Sequence, residues 1–510
     1  METPSSGELS PPAQRSFAIM SEAVSGLEPA LLWKHFAAIS SIPRPSKSEA
    51  AVARYVIETA QRTGCSVDRD AIGNLLIRKP ASPGREGAPS ICLQGHLDMV
   101  CEKNAETAHD FNKDPIRLQR NGGHIKATGT TLGADNGIAV ATSLALMEDE
   151  KVQHGPLEFL LTIDEETGLT GAKLLDPSLI SSRILLNLDS EEEGALYVGC
   201  SGGRDTNGSW KLAWEKAPAR SHIVRISVKG LKGGHSGLDI DKQRGNAIKI
   251  AARAAVLLTA RGARVSAFNG GNKRNAIPRE ADVTLYLPQV QWDESVQLVE
   301  RFQEVIQAEL QTSDPGVKVS IAQVKTRRGK VWARALQNKI LATVAAIPHG
   351  VTKMSADIPG LVQTSSNLGV IRSTKNEVVI STSQRSSVAS EMADVAYSAA
   401  ACLQLGGAKV DAGTGYPGWK PNLESPVLKL AQATFKELYR RDPAVKAIHA
   451  GLECGIIGEK IPGIDMVSFG PTIENAHSPD ESVEIASVDH FYQYLLRMLD
   501  KLSASTSVHA

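Results

Sequence analysis

The chain has 510 residues, with 56 basic against 56 acidic side chains. That length exceeds one hydrophobic core, so two domains are expected, and no basic run suits a phosphate backbone, which argues against a nucleic-acid partner. Six cysteines without close metal-type spacing read as free thiols in a reducing compartment. The Ser/Pro-rich residues 1–20 lack a basic and apolar signal segment, and no stretch approaches a membrane span. The expectation is a cytoplasmic protein with a disordered leader and no membrane partner.

An amphipathic helix is predicted over residues 27–39, stopped near Pro43 and Pro45, and a second over 49–64. A short strand at 74–77 and a Pro/Gly-rich turn at 80–89 lead into an apolar strand from Ile91 that ends in His96-Leu97-Asp98. Side chains two apart share a strand face, so Asp98 can hold one ring nitrogen of His96 while the other binds a metal. Residues 124–128 look like a hairpin edge. Asp135 lies in a glycine-flanked turn, Gly133 to Gly137, ahead of an apolar helix over 138–147. Two further apolar strands, 157–163 and 184–188, run into Asp164-Glu165-Glu166 and into Asp189.

Alternating helices and short apolar strands indicate an α/β fold, a mostly parallel sheet with helices on both faces. Carboxyl ends of parallel strands line the functional crevice. His96, Glu165-Glu166 and Asp189 should therefore converge, with Asp135 arriving from a nearby loop. So many carboxylates repel one another unless cations neutralise them. Imidazole with carboxylate is a zinc-type donor set, and shared carboxylates suit two metals. Solvated acidic loops are the plainer alternative.

From residue 202 the texture changes. Alternating strands at 221–228, 281–287, 317–324 and 377–381 are interspersed with helices at 245–259, 295–310, 332–347 and 387–405. This is an α+β domain made of two similar halves. It is inserted in the first domain, because a strand near 466–469 and then His477 in polar surroundings follow it. The division expected is a catalytic domain of 21–201 and 404–510 around an insertion of 202–403. A Gly/Pro/aromatic loop at 411–421 and helices at 425–439 and 488–502 complete the chain.

Taken together, His96-Leu97-Asp98, Gly133-Ala134-Asp135-Asn136-Gly137, Asp164-Glu165-Glu166-Thr167-Gly168, Asp189 and His477 resemble the five blocks of the dinuclear zinc exopeptidases related to glutamate carboxypeptidase. The likeness spans roughly residues 27 to 505. It is nearest to the aminoacyl-histidine dipeptidase branch, through Gly95 to Glu102, Lys232-Gly233-Gly234-His235-Ser236-Gly237 and Asn475-Ala476-His477-Ser478-Pro479.

The resemblance implies a zinc-exopeptidase catalytic domain with the insertion as its lid. It implies two zinc ions per chain, replaceable by cobalt or manganese, bridged by Asp135. His96 and Asp189 complete one metal site, Glu166 and His477 the other. Glu165 is then the general base acting on a bridging water, Asp98 orients His96, and His235 reaches the substrate carbonyl. Asn275, Arg385 and Gly451 grip the substrate, Arg385 through its free carboxylate. The activity implied is hydrolysis of unblocked L-dipeptides, including Xaa-His and β-alanyl-histidine, by a homodimer. An N-acyl-amino-acid amidohydrolase or carboxypeptidase-like hydrolase would use the same metals, and a peptide-binding protein of this fold would lack a ligand or base.

Overall fold

The apolar strands pair as their patterning requires, and the computed structural model describes residues 22–504; the leader of residues 1–20 lies outside that range. The chain divides into two compact units. The first comprises the chain up to Ala195, Lys429–Pro443 and the segment from Asp465 onward.

Within the first unit, strands Leu157–Thr162, Ile91–His96, Ile184–Asn187 and Asp465–Ser468 lie side by side in that order, all parallel. Strands Ser66–Arg69 and Leu75–Lys79 add an antiparallel edge, so the sheet is mixed. The parallel members read as unbroken hydrophobic runs because they are buried throughout, as in Ile91–His96 and Leu157–Thr162. Helix Ala30–Ser40 buries Leu32, Trp33, Phe36 and Ile39. Helix Ala134–Glu148 is buried around almost its whole circumference, which explains why its sequence carries no polar face. A smaller antiparallel sheet joins Leu118–Asn121, His124–Ala127, Ser482–Glu484 and Ile473–Glu474.

The second unit comprises Leu196–Leu428 and Ala444–Ile464. Its antiparallel sheet runs in the order Lys318–Gln323, Ser221–Lys229, Ala281–Pro288, Arg264–Gly270, Val362–Ser373, Glu377–Ser386, Gly202–Lys211 and Lys409–Ala412. Helices Ala247–Thr259, Trp292–Glu309, Arg334–Ala346 and Ala389–Leu405 contribute to one core with it, including Phe268, Trp332 and Trp210. The two groups of strands meet through a single residue pair, Gly270 with Ile371.

The unit is wider than residues 202–403. Strand Lys409–Ala412 pairs with Gly202–Lys211, Trp419 bonds Cys200, and Ser201 donates to the carbonyls of Ile448 and Ala450. These backbone bonds tie residues 404–428 and 444–464 to the rest of the second unit.

Candidate metal centre

Three neighbouring strand ends supply the first donors. His96 is the last residue of Ile91–His96 and is 1% exposed. On one side Leu157–Thr162 continues to Glu165 and Glu166; on the other Ile184–Asn187 continues to Asp189. Asp135 enters from the start of Ala134–Glu148, where it and Asn136 depart from helical backbone. His477 stands in the loop between Ile473–Glu474 and Ser482–Glu484.

Asp135 lies at the middle of the group. One of its oxygens is 3.1 Å from His96 Nε2 and the other 3.0 Å from His477 Nε2. Asp189 Oδ1 approaches His96 Nε2 to 3.5 Å, and Glu166 Oε2 approaches His477 Nε2 to 3.3 Å. Three donor sets result, each able to converge on one cation: His96–Asp135–Asp189 and Asp135–Glu166–His477, which share Asp135, and His96–Glu165–Glu166. Glu165 offers an oxygen close to His96 and Glu166.

The donors fit divalent metals on their own chemistry. Glu166 Oε1 is buried without a hydrogen-bond partner. Burial raises the Asp189 carboxyl to about 6, with Asp135 and Glu166 adding to the rise against the opposing pull of His96. Hydrogen bonds to the Asp135 and Glu166 carboxylates push the His477 imidazole up to about 11. The cluster thus demands positive charge, and two cations on nitrogen and oxygen donors meet that demand.

Asp98, fully buried, lies 3.3 Å from His96 Nδ1 and so can orient the ring. Its carboxylate also accepts from Ser46 Oγ at 2.7 Å and from the amides of Glu165 and Glu166 at 3.0 and 3.2 Å. Burial opposes its charge, but His96, Ser46 and the Glu165 amide hold the Asp98 carboxyl well below the usual range. One side chain therefore stands beside a donor ring and holds the loop carrying the acidic pair.

Three further residues hold the centre and were missed in the sequence. Glu481 accepts from the amides of Leu132, Gly133, Ala134 and Asp135 at 2.7, 2.9, 2.8 and 3.3 Å. Arg44 donates to the carbonyls of Leu97 and Asp98 at 2.9 and 2.7 Å, and also to Gly133. Asn136 accepts from His96 N at 3.2 Å and donates to Leu188 O at 3.0 Å, tying two donor strands together. Glu481 follows His477 by four residues, a spacing that could have drawn attention to it. Arg44, between two prolines, gave no comparable signal.

The family model for "Peptidase family M20/M25/M40" matches residues 92–501. The chain is 43% identical over 486 residues to the cytosol non-specific dipeptidase of Escherichia coli K12, covering 95% of this chain and 100% of that protein. The chain belongs to peptidase family M20/M25/M40. The crystal structure of aminoacylhistidine dipeptidase from Vibrio alginolyticus superposes with a TM-score of 0.86 at 42% identity, covering 94% of this chain and 98% of that one. Aminopeptidase PepT from Bacillus cereus shares the fold at a TM-score of 0.55 and 17% identity, over 93% and 99% of the two chains. The M20 organisation of a mixed α/β catalytic domain with a separate antiparallel insertion is therefore that of this chain.

The second unit of this M20 peptidase gathers the remaining predicted residues. His235 pairs with Ala276 in a two-residue ladder, and Asn275 O accepts from Ser236 N at 2.9 Å, so Asn275 is held beside it. Arg385 NH2 is 3.4 Å from His235 Nε2. Gly451 stands against the ring of Tyr416: a Cβ there would lie 2.9 Å from it. Burial, then the charge of Arg385, lowers the His235 imidazole to about 4.

Proposed function

We propose that this M20 peptidase is a metal-dependent dipeptidase acting on unblocked L-dipeptides, including Xaa-His and β-alanyl-histidine. The observation that carries the reading is Asp135, which presents one oxygen to each of two His-carboxylate sets. The 43% identity to a cytosol non-specific dipeptidase along that protein's full length supports the choice of substrate.

Two zinc ions held by His96, Asp135, Asp189, Glu166 and His477 would supply Lewis acidity, with cobalt or manganese as substitutes. Glu165 takes the proton of the attacking water and delivers it to the departing amine. Asp98 keeps His96 in place. His235 donates from Nε2 to the substrate carbonyl oxygen as negative charge develops there. Arg385 pairs with the terminal carboxylate, while Asn275 and Gly451 line the substrate. The active assembly is a homodimer, which light scattering on the purified protein tests directly.

Turnover of β-alanyl-histidine compared with its N-acetylated counterpart tests the activity. Cleavage of the free dipeptide is expected. Cleavage of the acetylated compound alone would replace the reading with an amidohydrolase.

A further inference from the structure

Arg385, on strand Glu377–Ser386, is 7% exposed, and no carboxylate among the described residues forms an ion pair with it. A buried guanidinium without a counter-charge is costly unless a ligand supplies one. Its three nitrogens face three different side chains. Nε reaches Ser236 Oγ at 3.5 Å, NH1 donates to Tyr416 Oη at 3.1 Å, and NH2 lies 3.4 Å from His235 Nε2.

The last of these is not a hydrogen bond. His235 Nδ1 accepts from the amides of Gly237 and Leu238 at 3.2 and 3.1 Å, so the proton of the neutral ring is on Nε2. Nε2–H and the Arg385 NH2 group are two donors set side by side. They require acceptor oxygens from outside. In a dipeptide the scissile carbonyl and the terminal carboxylate are separated by only one amide nitrogen and one Cα, so a closely spaced donor pair suits them. In a longer peptide a neutral amide stands where that carboxylate would be.

What holds Arg385 in this attitude is Tyr416. A Cβ on Gly203 would lie 2.7 Å from its ring and hydroxyl, and one on Gly451 would lie 2.9 Å from the ring on another approach. The phenol therefore occupies a slot that two glycines leave open. Its backbone is fixed as well: Gly203 N donates to Tyr416 O at 3.1 Å, and Tyr416 N donates to Gly203 O at 2.9 Å. The phenol oxygen is a fixed acceptor for NH1, and with NH1 engaged the NH2 edge is turned toward His235.

We propose that Tyr416 is a positioning residue that sets the orientation of Arg385 and thereby the preference for a free terminal carboxylate one residue beyond the scissile bond. This rests on the reading that Arg385 receives that carboxylate. It also gives Gly451 a definite task, which is to leave room for the phenol ring.

The test uses metal-loaded enzyme with alanyl-histidine and alanyl-histidine amide, the amide being followed as a competitor if it is turned over too slowly. Tyr416→Phe keeps the ring in its slot and removes the hydroxyl that accepts from Arg385. Hydrogen bonds to charged groups are worth enough that KM for the dipeptide should rise roughly tenfold, with kcat little changed and the amide affected far less. In an Arg385→Met background the same change should add almost nothing, since the two side chains act together. Equal effects on dipeptide and amide, no effect, or an undiminished effect in the Arg385→Met background would each overturn the role of Tyr416. If instead Arg385→Met weakens dipeptide and amide alike, the carboxylate reading of Arg385 fails and this inference fails with it. A carboxylate-selective Arg385→Met beside a neutral Tyr416→Phe removes Tyr416 alone.

Discussion

At the residue scale the separate tasks proposed for the adjacent carboxylates Glu165 and Glu166 are distinguished by conservative changes. Glu165→Gln should keep both metals while kcat for a dipeptide falls by about 10²–10⁴-fold, the usual cost of losing a general base. Glu166→Gln should lose metal, because a neutral amide is a poor ligand in the set with Asp135 and His477. Metal content and kcat measured on both variants check this; metal loss from the first and retention by the second would reverse the roles. Glu481 makes a different prediction. Its carboxylate, 2% exposed, receives four consecutive amides, and Glu481→Gln turns a donor toward them. A cost of roughly 1.5–3 kcal/mol in stability is expected from lost charge-assisted bonds, readable by denaturant unfolding of the metal-free protein. The candidate donors could be picked out in the sequence because metal-binding chemistry restricts residue type, and the fold brings them together. Arg44 and Glu481 could not, because they bind backbone groups, which every residue carries.

At the scale of elements, the strand ends do the positioning, and close approach of helix to strand makes that possible. A Cβ on Gly95 would fall 2.4 Å from Asn136 Oδ1 and 2.8 Å from Ala139 Cβ. Gly95→Ala should therefore push helix Ala134–Glu148 off strand Ile91–His96 and separate Asp135 from His96. Overpacking of this kind costs about 1–3 kcal/mol. The expected outcome is a lowered melting temperature together with weaker metal binding; unchanged metal affinity would show that Asn136 does not hold the strand and helix in register. The apolar parallel strands were readable for the reason that they are buried on both faces. Strand Val362–Ser373 was missed for the opposite reason. It buries Thr364, Ser365, Ser366 and Asn367, so no apolar alternation marks it. The three hydroxyls find partners, Thr364 in Ser386 and Glu391, Ser365 in His449 and Ser366 in Gln384. Buried polar side chains paired with one another leave no hydrophobic period to find.

At the scale of the whole molecule, buried histidines of the second unit couple its stability to pH. Backbone pairing, as between Gly203 and Tyr416, joins the Gly/Pro/aromatic loop to the second unit, a tie that composition does not reveal. Within that unit three histidines are kept neutral. Burial, then the charge of Lys249, lowers His349 to about 4; burial, then Arg385 and His235, lowers His449 to about 3; and His235 is lowered to about 4 by burial and Arg385. Each ring is engaged as well, His349 Nδ1 by the amide of Leu368, His449 Nε2 by Ser365 Oγ and His235 Nδ1 by two amides. An unfolded histidine takes its proton near 6.5, whereas these folded ones resist until about two units lower or more. The unfolded state therefore binds more protons between those values, so stability is full above about pH 6.5 and falls as pH drops toward 4, by about 1.4 kcal/mol per unit for each such group. None of the three belongs to the metal cluster, so the loss should occur in metal-free protein too. The measurement is denaturant unfolding of that protein at pH 7.5 and pH 5, for the wild type and for His349→Gln, which cannot take up the proton. The wild type should lose more stability than the variant over that interval. Equal losses would show that His349 titrates alike in the folded and unfolded chain, and that its burial does not couple the unit to pH.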